Sequence, residues 1–542
     1  MSFPVPFQML NTLSHEDFSS TKRSYASWSN DPKKEVKLDI SRLSDDAIAE
    51  LSDAFKSDKN MKSVRLLNAV LGSRRGEKDQ KISGIETFAD LLKNYLDETH
   101  INKWIFRREK DGQLYPYLIT SIEYRDGEVF NKIDKDEYHV LMRLTAYGIS
   151  SDNEKKMATK KDKISFHRHH VSNRKISTVL AAFDLFPETK ELIAEHEAQV
   201  ARYRSEVMPH FAKQFVANGK TVSIGYKNET TNLKHCRVIH DLTSDDFGPY
   251  NDRMEADTKT NDSAVFPCPF HPMVRVFDLE SHNFHWINSN LVKPYEYKKL
   301  LQHLVLPDSH HDLLDMLTDD LKDFSHDFVE GKAAGNMIIC KGPPGVGKTL
   351  TAELYAEHKQ VPLIVLKAGK LGTNVAEVTK GMKQYLDYAD RWTCPLLINE
   401  CDIYVAKRAN DIGLNAIVSE MLDRTEYYAG LLFMSTNRPD DIDDAFISRA
   451  LAIIDYKAPK GDLINESWKQ IASLHGLEFD DATIEKFKAM FPTIVQRDMK
   501  MLLKLALKKS KRTGEKITPD LMRRMAIFRA IDMVDNTKEL VG

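Results

Sequence analysis

The spacing of apolar residues changes character several times along the chain, and each change predicts a different kind of structure. Ile40, Leu43, Ile48, Leu51 and Phe55, then Phe88, Leu91, Leu92 and Tyr95, recur at helix-like intervals, so 39–98 is expected to be helical. From Trp104 to His170 the pattern turns to strands. Segments 114–124 and 138–147 are rich in β-branched and aromatic residues, with the turn signal Asp126-Gly127 between them. Residues 175–217 predict two helices broken at Pro187, whose ring cannot continue a helix. Residues 221–290 return to short strands, with 274–279 and 283–287 as a hairpin.

A further change falls near Lys293. Leu306-Pro307 introduces an amphipathic helix over 310–328. Strand and helix patterns then alternate: strand 337–341, helix 347–358, strand 362–367, helix 374–391, strand 395–399, helix 412–424, strand 430–435. That order predicts a parallel sheet with helices on both faces. From about 460 to 541 the pattern is helical only and rich in Lys and Arg. Four regions follow: a polar, Ser-rich segment over 1–35 expected to be partly flexible; a mixed α+β module over 36–292, helical to about 100 and then strand-rich with the helical pair 175–217 inserted; an α/β core with its leading helix over 293–457; and an α-helical lid with a basic tail over 458–542.

Composition narrows the class. A chain of 542 residues is too long for a single core. A net charge of −3 argues against a polyanion-binding protein as a whole, although local basic patches remain open. No apolar run reaches membrane-spanning length, and Met1 to Asn11 lacks the features of a secretory signal. The five cysteines (Cys236, Cys268, Cys340, Cys394, Cys401) are odd in number and scattered, which reads as free thiols in a reducing, cytoplasmic protein.

The most specific chemistry lies at Gly342-Pro343-Pro344-Gly345-Val346-Gly347-Lys348-Thr349, followed by Leu350. Placed between an apolar strand and a helix, this pattern is a phosphate-binding loop. Gly342, Gly345 and Gly347 let consecutive N–H groups turn toward phosphate oxygens, where a Cβ would obstruct them. Lys348 is expected to reach the β- and γ-phosphates, and the Thr349 hydroxyl to ligate Mg²⁺. The expected ligand is therefore ATP, or a closely related nucleotide, with Mg²⁺.

A second element, 395–402, is an apolar strand ending in Asn399, Glu400, Cys401 and Asp402. In open α/β sheets ligands gather at such carboxyl ends. Glu400 is suited to polarise an attacking water as general base. Asn399 keeps a carbonyl acceptor for the metal side without its charge, and Asp402 is a second candidate there. A third strand, 431–437, ends in Asn437, an amide suited to orient water or read the γ-phosphate.

Together these residues resemble the AAA family of ATPases over roughly 300–520. In the family's terms, 342–349 looks like Walker A, 396–402 like Walker B and Asn437 like sensor 1. Segment 443–449 is similar to the arginine-finger segment, which makes Arg449 the finger ahead of Arg438, and Arg497 lies in a segment resembling the sensor-2 helix. The resemblance implies a self-assembled ring, usually a hexamer, with Arg449 reaching a neighbour's γ-phosphate. It also implies ATP hydrolysis coupled to remodelling of a macromolecular client. Segments 175–215 and 270–330 look like the N-terminal and linker parts of a poorly characterised, largely microbial subgroup, a likeness that assigns no substrate.

Two departures bear on function. The residue at Asn399 is ordinarily Asp in the family, which puts the rate of hydrolysis in question but not binding. Protein-threading members carry an aromatic pore loop where this chain has Lys370-Leu371-Gly372. Lys370, Lys407 and Arg408 are candidates to line a pore taking an acidic tail or a nucleic-acid strand, against the plainer reading of a solvated loop. Three readings result: an ATP-driven ring that remodels a protein client recruited by 36–292, an ATP-switched scaffold with slow turnover, and a less favoured nucleic-acid translocase or loader. Other clusters weigh less. Cys268, His271, His282 and His285 have zinc-like pair spacings, but an intervening strand and aromatic packing argue against a finger. The basic residues of 160–175 are read chiefly as a solvated loop, and those of the lid as facing the nucleotide and a neighbouring subunit, with DNA or RNA contact as the alternative.

Overall fold

The computed structural model describes residues 2–26, 35–75, 79–125, 138–149, 157–222, 230–241, 252–253, 267–298, 316, 336–372, 374–408, 411–426, 428–529 and 531–533. The chain divides into two compact units, one formed by 1–211 and 215–294, the other by 212–214 and 295–542. The turn at Asp126-Gly127 and, apart from Met316, the predicted helix at 310–328 lie outside the described residues.

The N-terminal unit is α+β with antiparallel sheets. Its six-stranded sheet runs in the order 252–253, 157–167, 139–149, 114–125, 104–108, 185–187, and its five-stranded sheet in the order 284–288, 273–278, 232–240, 214–220, 292–294. The strands predicted at 114–124 and 138–147 are Leu114–Arg125 and His139–Ile149, paired to each other with one irregularity between Ile119 and Ser121. The predicted hairpin is Met273–Asp278 against Phe284–Asn288. Helices Asp45–Ser57, Met61–Arg75 and Ile85–Thr99 carry the apolar stripes read at 39–98.

Two readings need correction. Residues 2–26 of the segment expected to be flexible are ordered: Ser2–Pro6 pairs with Glu35–Asp39, and Phe3, Val5 and Phe18 are buried. The alternation of Phe3 and Val5 with polar or proline positions suits one buried face, and the partner strand supplies the missing hydrogen bonds. In 175–217, the chain forms helices Ile176–Ala182 and Lys190–Arg202, but Leu185–Pro187 between them is an edge strand, and Gln214 begins another strand. Pro187 fits an edge because its missing N–H costs nothing on the unpaired side.

The second unit holds a five-stranded, all-parallel sheet. In chain order its strands are β1 (Met337–Lys341), β2 (Ile364–Lys367), β3 (Leu396–Asn399), β4 (Leu432–Thr436) and β5 (Ala452–Asp455). Their spatial order is β2-β3-β4-β1-β5. Helices α1 (Lys348–Lys359), α2 (Val375–Arg391), α3 (Ile412–Glu426) and α4 (Asp444–Arg449) connect them. Strands β1 and β3 are apolar throughout their interior positions, as parallel strands covered on both faces must be. The crossover order brings the carboxyl ends of β1, β3 and β4 side by side, and those ends carry the chemistry.

Four helices follow: α5 (Asp462–Ser473), α6 (Asp481–Met490), α7 (Gln496–Thr513) and α8 (Pro519–Ala526). They close around Trp468, Phe487, Leu502 and Leu503, all fully buried. Each such side chain contributes roughly 1.5–3 kcal/mol by burial, enough to hold a small lid subdomain together. No helix among the described residues is long and apolar enough to cross a membrane.

Candidate nucleotide site

The loop between β1 and α1 turns because three glycines adopt positive φ: 141° at Gly342, 88° at Gly345 and 104° at Gly347. At Gly342 a Cβ would lie 2.2 Å from the backbone oxygen of Tyr456, so β5 packs directly against the loop. Gly347 caps the N-terminus of α1, a 12-residue helix whose unpaired N–H groups and dipole favour an anion. Val346 is buried in the core behind the loop, and the Pro343 carbonyl accepts a hydrogen bond from Lys348; neither side chain lines the cavity.

Lys348 is buried, and its ammonium donates to the carbonyls of Gly342 (2.7 Å) and Pro343 (2.6 Å) and to Oδ1 of Asn437 (2.8 Å). Burial lowers its pKa from the ordinary lysine value, with Asp402 opposing. The Thr349 hydroxyl donates to Oδ1 of Asn399 at 2.9 Å. Two hard oxygens therefore sit side by side next to the phosphate loop, a donor pair that suits Mg²⁺, which keeps several waters and takes few protein ligands.

Glu400 follows β3 in a left-handed conformation, φ 57°, which a non-glycine residue seldom adopts. Ser435, on β4, holds that turn: its hydroxyl donates to Asn399 Oδ1 (2.7 Å) and accepts from the Glu400 N–H (3.2 Å), and its carbonyl accepts from the Cys401 N–H at 2.9 Å.

Asp402 does not line the cavity. Its Oδ1 accepts from the Thr436 hydroxyl (2.6 Å) and from the Asn437 N–H (2.8 Å). This geometry sets the position of Asn437.

These residues meet around a cavity of about 550 Å³, within the roughly 300–1,000 Å³ typical of small-ligand sites. Pro344, Gly345, Gly347, Lys348, Thr349 and Leu350 form one side, with Asn399, Glu400, Ser435 and Asn437 at the strand ends. The lid closes the other side with Ile471, Leu474, Gln496, Arg497, Lys500 and Met501, an apolar wall with cationic edges. Arg497 also packs on the loop: its N–H donates to the Gly345 carbonyl at 3.3 Å, and its Cβ stands 3.0 Å from where a Gly345 Cβ would be. Arg449 is elsewhere. It lies at the end of α4, 40% exposed, with one guanidinium nitrogen 3.4 Å from Glu426. Arg438, the competing candidate, is 66% exposed and 3.8 Å from Asp441.

Sequence reasoning missed Ser435 and the lid residues Gln496, Lys500 and Met501. Ser435 reads as an ordinary strand residue until β3 and β4 are aligned. The helical period linking Arg497, Lys500 and Met501 was the available signal for the lid wall. The other clusters separate. His271 is buried, its Nε2 2.8 Å from the Pro116 carbonyl and its ring against Tyr115 and Tyr117; burial lowers its pKa to about 3. His282 lies against Phe277. No group of three or more His, Cys, Asp or Glu able to hold a metal occurs among the described residues. In the would-be pore segment Leu371 is buried, and the Tyr404 hydroxyl donates to the Ala368 (3.0 Å) and Gly372 (2.7 Å) carbonyls. Lys407 bonds the Asp440 carbonyl at 2.7 Å, and Arg408 pairs with Asp443 at 2.9 Å.

A glycine loop opening a helix beside polar strand ends, on a parallel sheet of this order, defines a P-loop nucleotide-binding protein. The model of the ATPase family associated with various cellular activities (AAA) matches residues 338–457. This stretch of the chain is therefore an AAA domain, with the P-loop described above at its start. Among curated relatives, it is 28% identical over 145 residues to an uncharacterized AAA family ATPase, y4kL, of Sinorhizobium fredii, covering 26% of this chain and 43% of that one. It is 27% identical over 201 residues to an ATP-dependent zinc metalloprotease YME1 homolog of Caenorhabditis elegans, covering 35% and 28%. The chain thus spans less than half the length of these relatives. Among solved structures, the FIGL-1 AAA domain in complex with ADP is 19% identical, with a TM-score of 0.36, covering 45% of this chain and 87% of that one.

Proposed function

We propose that the protein binds ATP with Mg²⁺ in the cavity between the P-loop and the lid, and hydrolyses it within a ring of like subunits, a hexamer in the family's usual form. The carrying observation is the convergence of Lys348, Thr349, Asn399, Glu400 and Asn437 with Arg497 around one cavity. The P-loop N–H groups and Lys348 bind the β- and γ-phosphates. Thr349 and Asn399 hold Mg²⁺, which when bound neutralises phosphate charge. Glu400 takes a proton from the attacking water, and Asn437 orients that water against the γ-phosphate. Arg497 senses the nucleotide from the lid. Arg449, exposed and off the cavity, fits a role on the neighbouring subunit's nucleotide, where an arginine stabilises phosphoryl charge.

The N-terminal module, 36–292, is the proposed recruiter of a protein client that the ring remodels, in a cytoplasmic setting consistent with five free thiols. The buried Leu371 and the tied-back Lys407 and Arg408 speak against a pore that grips an extended chain, and give no added support to a nucleic-acid strand. The neutral Asn399 favours one second reading, a scaffold switched by bound ATP with slow turnover.

Steady-state phosphate release at rising protein concentration separates them. Remodelling by a ring predicts turnover per subunit that climbs as subunits assemble and falls to background in Arg449→Ala. Turnover no higher than that of Lys348→Ala at any concentration would remove the enzyme reading and leave the switch.

A further inference from the structure

Beyond the β3–β4 ladder, which pairs Leu396 with Leu432, Leu397 with Phe433 and Ile398 with Met434, the Ser435 side chain bridges the end of β4 to Asn399 and Glu400. Ser435 is 1% exposed, and its hydroxyl both donates and accepts. One lone pair takes the Glu400 N–H at 3.2 Å, and its proton goes to Asn399 Oδ1 at 2.7 Å. Because the same Oδ1 also receives the Thr349 hydroxyl at 2.9 Å, the amide is locked with its carbonyl toward the phosphate loop. We infer that Ser435 is a positioning residue that orients the Asn399 amide for Mg²⁺. The inference rests on the proposed binding of Mg²⁺ with nucleotide at this cavity.

The need for such a residue follows from the amide itself. A carboxylate presents oxygen in either orientation. An amide rotated by half a turn presents an NH₂ group, which cannot ligate a cation or accept from its water shell. A neutral Asn therefore serves the metal side only if something fixes its rotation, and the Ser435 hydroxyl adds a second donor to that of Thr349 on the same oxygen. Groups that orient a ligand commonly change metal affinity by about 10–100-fold when removed. Ser435 also braces Glu400 in its left-handed turn, so two functions share one hydroxyl, and the test must separate them.

The full chain is titrated with Mg²⁺ while binding of a fluorescent, non-hydrolysable ATP analogue is followed. In Ser435→Ala the Mg²⁺ concentration giving half-maximal tightening should rise about tenfold, with affinity in EDTA unchanged. Adding Asn399→Asp, whose carboxylate needs no orienting, should restore the wild-type midpoint. Ser435→Cys, a near-isosteric and weaker donor, should shift the midpoint in the same direction as Ala and guards against a packing artefact. An unmoved midpoint in Ser435→Ala, or a shift that Asn399→Asp does not reverse, overturns the role of Ser435 while the site itself stands. Failure of the wild-type chain to bind the analogue, or to respond to Mg²⁺, overturns the proposed site and this inference with it.

Discussion

Lys348 donates to Oδ1 of Asn437 at 2.8 Å, joining side chains 89 residues apart at the start of α1 and just past the end of β4. The bond fixes which end of the Asn437 amide faces the lysine and leaves its NH₂ for the cavity. Asp402 completes the arrangement by accepting from the Asn437 N–H. Asn437→Ala removes a group that acts on the reacting phosphate and leaves Lys348 its two carbonyl partners. ATP affinity should change by no more than a few-fold while turnover falls by about 10²-fold or more, the scale of losing one oriented polar group. Equilibrium binding and turnover measured on the same preparation check the split.

Gly342 tests the packing beneath the loop. Alanine there would force a φ of 141° on a residue with a Cβ and place that Cβ 2.2 Å from the Tyr456 oxygen. Backbone cannot yield as a side-chain tip can. The expected cost is about 3 kcal/mol or more from strain and overpacking combined. Chemical denaturation followed by hydrogen exchange in β1 and β5 should show that loss in the second unit.

Glu400 predicts a trade between stability and chemistry. Its φ of 57° is a conformation glycine adopts freely. Glu400→Gly should raise stability by up to about 1 kcal/mol and abolish turnover. Glu400→Gln keeps the strain and the shape, so it should bind ATP normally while losing about 10²–10⁴-fold in turnover. Thermal unfolding of the two variants side by side distinguishes strain from chemistry, because only the glycine variant should unfold later than the wild type.

The α/β core was legible because apolar period and element type agree there. Each parallel strand reads as a short apolar run, and the P-loop sits between a strand and a helix as its chemistry requires. What escaped depended on partners far along the chain. The strand Ser2–Pro6 needs Glu35–Asp39 to exist, and the strand at Gln214 needs Val292–Pro294. The contacts of Asp402 could not be read because sequence shows its charge and not its direction; the Thr436 hydroxyl and Asn437 N–H donate to its Oδ1. Ser435 carried no signal at all, since its importance arises only from the register of β3 against β4. Arg449 was singled out by its motif, and the structure places it at the end of α4, partly exposed and beside Glu426.

Acid should weaken the N-terminal unit selectively. Burial lowers the pKa of His271 to about 3 and those of His196 and His240 to about 4. An unfolded histidine titrates near 6.5, so below that pH the unfolded chain binds protons that the folded unit refuses. Stability therefore falls as pH drops from about 6.5 toward 4, with a slope that approaches about one proton per histidine near pH 5. Above about 6.5 the effect vanishes. Hydrogen exchange in strand Met273–Asp278 at pH 7 and pH 5 should show this loss, and His271→Gln should reduce the slope by about one proton. Equal protection at both pH values, after correction for intrinsic exchange, would contradict it.

The central claim is that the cavity between P-loop and lid takes ATP with Mg²⁺, and calorimetric titration of the intact chain tests it most directly. ATP with Mg²⁺ should bind with one site per chain, and Lys348→Ala should remove that heat while leaving the far-ultraviolet circular dichroism of the protein unchanged. A wild-type chain that takes up no ATP, or a Lys348→Ala chain that binds as tightly as the wild type, would contradict it.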